Sequence, residues 1–275
     1  MINNKKIAAV IFDWAGTTVD HGSLAPVRVI RRVFESRGVQ ISEAEARRDM
    51  GVPKRDHIER IVSSAAVSHR WREKNGKAPG ASDVDAMFAE FVQLQQESLV
   101  RDSSVIEGVA EMVATLRKRG IKIGSTTGYT REMMDLLVPV AAASGYRADC
   151  IITPDEVGGG RPHPWMIFQN AIKLGIDQLS TIVKIGDTIS DIEEGLNADV
   201  WTIGIARTGN LIGMTAKDFA ALPRNEQQSR LEHARTVLRD AGAHEVVDSV
   251  AECKPALERI EQWMRDGRSP TVPRI

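Results

Sequence analysis

The 275-residue sequence predicts an α/β fold: a doubly wound, mostly parallel sheet with an α-helical cap domain inserted after its first strand. Two observations predict the sheet and a third predicts the insertion. Short uninterrupted apolar runs recur along the chain, segments with helical spacing separate them, and one stretch near the N-terminus holds helical patterns alone.

The first run, residues 7–12 (IAAVIF), is apolar throughout and stops at Asp13-Trp14-Ala15-Gly16, as a strand buried on both faces ends in a loop. Residues 23–99 then show no strand. Val27, Ile30, Val33 and Phe34 recur at helical spacing up to Gly38, and a short piece follows Ser42. A longer stretch runs from Lys54 through Trp71, and Met87, Phe88, Phe91 and Leu94 follow Ser82. This block reads as a cap, with residues 1–22 and 100–275 as the core and residues 72–81 as a polar loop inside the cap.

The alternation then resumes. Val109, Met112, Val113 and Leu116 form a helix before a strand at 121–125, and Met133, Met134 and Leu137 form another after Thr130. A strand at 150–153 precedes a helix through Ile167, Phe168, Ala171 and Ile172 that stops at Gly175. Strands follow at 182–185 and 200–205. A helix from Asn225 to Ala241, a short strand at 244–247 and a helix through Trp263 complete the core. Residues 265–275 read as a fraying tail.

Lys and Arg total 36 against 37 Asp and Glu, a net charge of -1. That balance argues against nucleic acid or an anionic membrane as the main partner. Two cysteines, Cys150 and Cys253, exclude a four-thiolate zinc site, argue against a disulfide framework and suit a reducing cytoplasm. Lys5 and Lys6 before the first apolar run imitate a secretory signal, but Asp13 ends the run too early. No stretch approaches the roughly 18 apolar residues of a membrane span.

In open parallel sheets the ligand crevice lies beyond the C-terminal strand ends, so the residues there come first. They are Asp13, Thr127, Arg161, Asp187 and Asp191. Carboxylates, a hydroxyl and a cation around one point can handle a phosphoryl group with a magnesium ion. Asp13 would attack phosphorus, Asp187 would hold the metal, Thr127 would donate to an equatorial oxygen, and Arg161 would offset charge. Taken singly, each residue has an ordinary alternative. Asp13 could be a turn or N-cap residue, Thr127 the cap of the next helix, and Arg161 part of an exposed flexible loop. Asp187 could be an Asx-turn residue and Asp191 a helix-start acid.

The order Asp13-Trp14-Ala15-Gly16-Thr17, Thr126-Thr127-Gly128, a basic residue and Gly186-Asp187-Thr188-Ile189-Ser190-Asp191 resembles the four motifs of the haloacid dehalogenase-like superfamily. The resemblance covers nearly the whole chain, with the helical block where that superfamily inserts its first type of cap. Phosphatases of the superfamily usually carry a second Asp at the position of Ala15, the acid that protonates a departing alkoxide. Its absence disfavours phosphate-ester hydrolysis. If the leaving group were a carbanion, a lysine Schiff base would be the suitable electron sink. Met50-Gly51-Val52-Pro53-Lys54-Arg55-Asp56-His57 offers Lys54 for the imine and His57, three residues on, for proton transfer.

DWAGT, MGVPKRDHI, TTGYTREMM, GRPHPWM and GDTISD together resemble the phosphonatase branch of the superfamily. That resemblance implies a magnesium-dependent homodimer converting phosphonoacetaldehyde and water to acetaldehyde and phosphate. It implies that Asp13, the Ala15 carbonyl and Asp187 hold the metal and that Asp191 is an acidic residue behind them. Met50, Gly128 and Tyr129 fall in matching stretches as substrate-side positions. Two other readings stand beside it: a magnesium-dependent phosphatase or phosphomutase of the superfamily, and a non-catalytic phosphoacceptor or sensor. In isolation Lys54 would be a solvated surface lysine and His57 a satisfied histidine on the cap face.

Overall fold

The structure is a computed structural model that describes residues 6–271, except the side chains of residues 97 and 99–102. Six strands, β1 (Ala9–Phe12), β2 (Lys122–Thr126), β3 (Cys150–Ile152), β4 (Ile182–Gly186), β5 (Trp201–Ile205) and β6 (Glu245–Val247), form one sheet in the order β3-β2-β1-β4-β5-β6. Every pairing is parallel; Ile11, for example, lies beside Gly124 on one flank and Lys184 on the other.

Between β1 and β2 the chain forms α1 (Leu24–Glu35), α2 (Glu43–Arg47), α3 (Lys54–Ser63), α4 (Ala65–Asn75), α5 (Ala81–Asp102) and α6 (Val109–Lys118). Later helices are α7 (Arg131–Ala143), α8 (Trp165–Leu174), α9 (Ile189–Asn197), α10 (Ala216–Ala221), α11 (Arg224–Asp240) and α12 (Cys253–Arg265). Among the described residues, no helix is long and apolar enough to cross a membrane.

The unbroken apolar character of the strands follows from this layering. Val10 and Phe12 face a core shared with α6, α7 and α12, whereas Ala9 and Ile11 face one shared with α8. Burying each such Ile or Phe contributes about 1.5–3 kcal/mol. Helices α1 to α5 bury Ile30, Phe34, Ile58, Met87 and Phe91, which are continuous with the core on the Val10 and Phe12 face of the sheet.

The two segments joining this helical block to the sheet run antiparallel. Val19 bridges Val105, and the Ile106 amide donates to the Thr18 carbonyl at 2.9 Å. Asp20, at φ 54°, turns the chain into α1 and accepts from the Leu24 and Ala25 amides at 3.1 and 3.0 Å. Burial pushes its carboxyl up to about 6 against those hydrogen bonds.

The structure differs from the sequence reading in several places. The polar segment 72–81 is loop only over residues 76–80, because α4 continues to Asn75. The helical stretch from Lys54 to Trp71 is two helices, broken at Ser64, whose extended backbone interrupts the helical path. Helix α10 carried too short an apolar pattern to be recognised. The tail does not fray as far as it is described: the Pro270 carbonyl lies 2.8 Å from His244 Nε2, and the Thr271 hydroxyl donates to Asp199. Residues 272–275 of that tail, and Lys5 of the signal-like start, lie outside the described residues.

Candidate active site

Strand order reverses on either side of β1, and the loops after β1, β2 and β4 meet there. Asp13 follows β1, Thr127 follows β2 and Asp187 follows β4, while Arg161 enters from the loop after β3. Helix α3 closes this end. Asp13, Ala15, Thr127 and Arg161 line the remaining space from the sheet side, and Met50 and Lys54 line it from the helical block. Gly128 and Tyr129, with Ser23, Gly51 and Thr188, complete the wall, and the space amounts to about 20 Å³. That holds a water but no phosphonate, so substrate entry requires the helical block to move. A larger concavity near Trp201 and His244 lies by the opposite strand ends and gathers none of these groups.

Beneath the cavity is a buried ionic network. Arg161 donates through Nη2 to Asp13 Oδ1 at 2.7 Å and through Nε to Glu194 Oε2 at 3.0 Å, and its Nη1 pairs with Asp191 Oδ1 at 3.0 Å. Lys184 Nζ reaches Asp191 Oδ1 at 2.9 Å and the Thr126 hydroxyl at 2.8 Å. The loop around Arg161 is therefore neither exposed nor loose at that residue, which is 3% accessible. Such charges are tolerable inside only because each cation meets several carboxylates.

Asp13, Asp187 and Asp191 each offer a carboxylate oxygen within 4.8 Å of one another. Both Asp191 oxygens are engaged: Oδ1 by Arg161 and Lys184, and Oδ2 by the Thr188 hydroxyl at 2.6 Å. With Thr188, Asp191 closes the capping box of α9, as its reading as a helix-start acid expects. Those cations hold its carboxyl below the usual range despite burial.

Asp187 is different. It accepts from the Thr17 hydroxyl at 3.1 Å and the Asn210 amide at 2.7 Å, and no basic side chain among the described residues pairs with it. Burial, then the charges of Asp13 and Asp191, push its carboxyl well above the carboxylate range. Asp13 is raised chiefly by burial and by Asp191, with Arg161 opposing. A hard divalent cation between Asp13 and Asp187 would relieve that repulsion, so the donor set fits magnesium. Gly16, at φ +86°, lets the turn after Ala15 approach Asp187; a Cβ there would lie 2.3 Å from Oδ2.

Lys54 begins α3 directly after Pro53 and is 5% exposed rather than solvated. Its neighbours are soft: Met50 Sδ at 3.4 Å and the Tyr129 ring centroid at 5.7 Å. Burial pushes its ammonium down to about 8, with Asp13 opposing and Arg161 assisting. Desolvation is thus the larger cause, ahead of any neighbouring positive charge.

His57 does not line the cavity. It is fully buried behind Lys54, neither ring nitrogen makes a hydrogen bond of normal geometry, and burial followed by the Lys54 charge holds it well below its ordinary value. A direct proton relay from His57 to a bound aldehyde thus needs a rearrangement of the helical block. Thr127 does not cap α7, since the Thr130 hydroxyl takes the Met133 amide. The Thr127 hydroxyl instead accepts from the Tyr129 amide at 3.1 Å. The Tyr129 hydroxyl is buried without a hydrogen-bond partner, and burial keeps it protonated. Trp14 packs edge-on to Tyr146 and donates to the Ser125 hydroxyl.

Lys184 and Glu194 escaped the sequence reading. Lys184 stands inside the apolar run 182–185, and that lone charge in a buried strand was the available signal.

A family model described as haloacid dehalogenase-like hydrolase matches residues 7–199. A phosphonoacetaldehyde hydrolase of Bacillus cereus is 43% identical over 257 residues, covering 94% of this chain and 97% of that protein. One from Nitratidesulfovibrio vulgaris is 42% identical over 264 residues, covering 96% and 94%. The crystal structure of a phosphonoacetaldehyde hydrolase-like protein from Oleispira antarctica superposes with a TM-score of 0.94 at 36% identity, over 96% of both chains. With the motifs at the strand ends and these similarities spanning both the sheet and the helical block, the chain belongs to the phosphonoacetaldehyde hydrolase family of the haloacid dehalogenase-like hydrolases.

Proposed function

We propose that this protein hydrolyses the carbon–phosphorus bond of phosphonoacetaldehyde through a Schiff base on Lys54 and an aspartyl-phosphate on Asp13. One observation carries the mechanism: a buried amine held at about 8 faces the same small space as Asp13, with Ala15 where an acid for an oxygen leaving group would stand. Lys54 Nζ adds to the aldehyde carbon and water leaves, forming the iminium. A carboxylate oxygen of Asp13 attacks phosphorus, and the electrons of the breaking carbon–phosphorus bond flow into the iminium to give an enamine. Water releases phosphate from Asp13. The enamine takes a proton at carbon, and hydrolysis of the resulting imine frees acetaldehyde and Lys54.

Asp13, the Ala15 carbonyl and Asp187 would hold Mg2+, which supplies charge neutralisation between the carboxylates and the phosphonate. Arg161 fixes Asp13 Oδ1 and leaves its other oxygen for attack, while the Thr127 hydroxyl and the Tyr129 hydroxyl offer donors to substrate. His57, uncharged and packed behind Lys54, keeps a second cation away from the amine.

Phosphate release from phosphonoacetaldehyde tests the reading. It should require a divalent cation and cease with a chelator. Because the neutral amine is the nucleophile and its fraction grows up to about pH 8, kcat/KM should fall roughly tenfold per pH unit below that value. A limb continuing to rise toward pH 10 would contradict the buried amine.

We also infer a cytoplasmic homodimer. Free, buried Cys150 and Cys253 support the reducing compartment. Trp165, Phe168 and Ile172 support the dimer, since they form an exposed apolar stripe along α8. Sedimentation should show two copies in the native protein and one in Phe168→Asp.

A further inference from the structure

We infer that Arg47 is a positioning residue that pins the helical block to the loop holding Asp187, so that closure of the block and ordering of the metal carboxylate are a single event. The inference rests on the cation site at Asp13 and Asp187. Arg47 ends α2, a five-residue helix fixed by a complete capping box between Ser42 and Glu45. From there its guanidinium leaves the helical block. Nη1 donates to the Gly22 carbonyl at 2.9 Å and to Asn210 Oδ1 at 3.0 Å, and Nη2 donates to the Gly213 carbonyl at 3.2 Å. Asn210 returns a hydrogen bond from Nδ2 to the Arg47 carbonyl at 3.4 Å.

The same Asn210 donates its backbone N–H to Asp187 Oδ2 at 2.7 Å. One residue therefore joins a side chain of the helical block to a carboxylate of the metal site. Its loop also meets the turn after the nucleophile, where the Thr208 hydroxyl donates to the Gly16 carbonyl at 2.8 Å. Gly213, at φ +65°, leaves room for the pin: a Cβ there would lie 2.8 Å from the guanidinium carbon.

An arginine serving only solubility would not be 12% exposed and turned onto backbone carbonyls of another layer. When the helical block swings open, Asn210 Oδ1 and the Gly213 carbonyl lose their cationic donor, and the loop that orients Asp187 loses its outer anchor. Reciprocity then requires that a cation favouring the ordered loop also favours closure.

Mn2+ binding, followed by the electron paramagnetic resonance of free Mn2+ without substrate, tests this apart from turnover. Arg47→Ala and Asn210→Ala should each weaken Mn2+ affinity by on the order of tenfold. The double variant should be no weaker than the singles, because both remove the same link. Glu43→Gln, which removes only the surface partner of Arg47 at 2.8 Å, should bind as wild type. In the assay KM should rise more than kcat falls. Thermal unfolding checks that the variants are folded, and Asn210→Ala carries the test if Arg47→Ala is not.

Unchanged Mn2+ affinity in the single variants, or multiplied losses in the double, would overturn the pin while leaving the cation site in place. A wild-type protein that cleaves phosphonoacetaldehyde yet binds no Mn2+ would overturn the cation site, and the pin with it.

Discussion

Replacing Lys54 with alanine is expected to lower kcat/KM for phosphonoacetaldehyde by on the order of 10⁴-fold or more while the protein stays folded. Without the amine, the carbon–phosphorus electrons have no acceptor, and Ala15 supplies no substitute acid. Stability should not confound the result. Holding the Lys54 ammonium at about 8 instead of its usual 10.5 opposes folding below pH 8 by about 3 kcal/mol. That opposition fades as pH rises from the folded value to the unfolded one, because only the unfolded chain then still binds the proton. At neutral pH, removing the amine relieves this cost, which offsets the packing lost with the side chain. Borohydride added with substrate should leave a reduced adduct on Lys54 of the wild type and none in the variant. Turnover within tenfold of wild type would exclude the Schiff base.

Replacing Asp13 with asparagine should abolish phosphate release to a similar degree, on the order of 10⁴-fold or more, yet leave the imine trappable. The two chemical events belong to different residues. Lys54 condenses with the aldehyde before any bond to phosphorus changes, so borohydride should still label it. Asparagine can keep the contact from Arg161, so the network formed with Asp191 and Glu194 survives. Asp13 is also the principal charge raising the Lys54 pKa against burial. Its neutralisation should therefore shift the acid limb of trapping below pH 8. Loss of trapping together with loss of phosphate release would mean that Asp13 is needed to seat the aldehyde, and the separation of roles would fail.

The strands were legible because each is apolar on both faces and short. Residues 7–12 and 200–205 could belong to little else once helical spacing flanked them. Asp13, Thr127 and Asp187 were legible for a related reason: parallel strands place their following residues at one end, so local position implies convergence. Lys54 was legible only through the absence of an acid at Ala15 and the match of its surrounding stretch.

What escaped depends on contacts distant in sequence. Lys184 meets the Thr126 hydroxyl across 58 residues, and Arg47 meets Asn210 across 163. Arg47 has no local pattern to betray it, and Lys184 shows only a single charge inside an apolar run. His57 stands three residues after Lys54 and feels its charge, yet Lys54 lines the cavity while His57 is packed in the interior, a difference of depth that helical spacing does not encode.

The 20 Å³ left between Lys54 and Asp13 also bears on which aldehydes are accepted. A guest enters only as far as α3 yields, so molecular length is gauged by how wide the two halves stand apart. Each added methylene would hold the amine farther from the carboxylate that must act in concert with it. Selectivity for a two-carbon skeleton then needs no dedicated stop at the end of a groove, because an oversized molecule separates the two groups that would otherwise consume it.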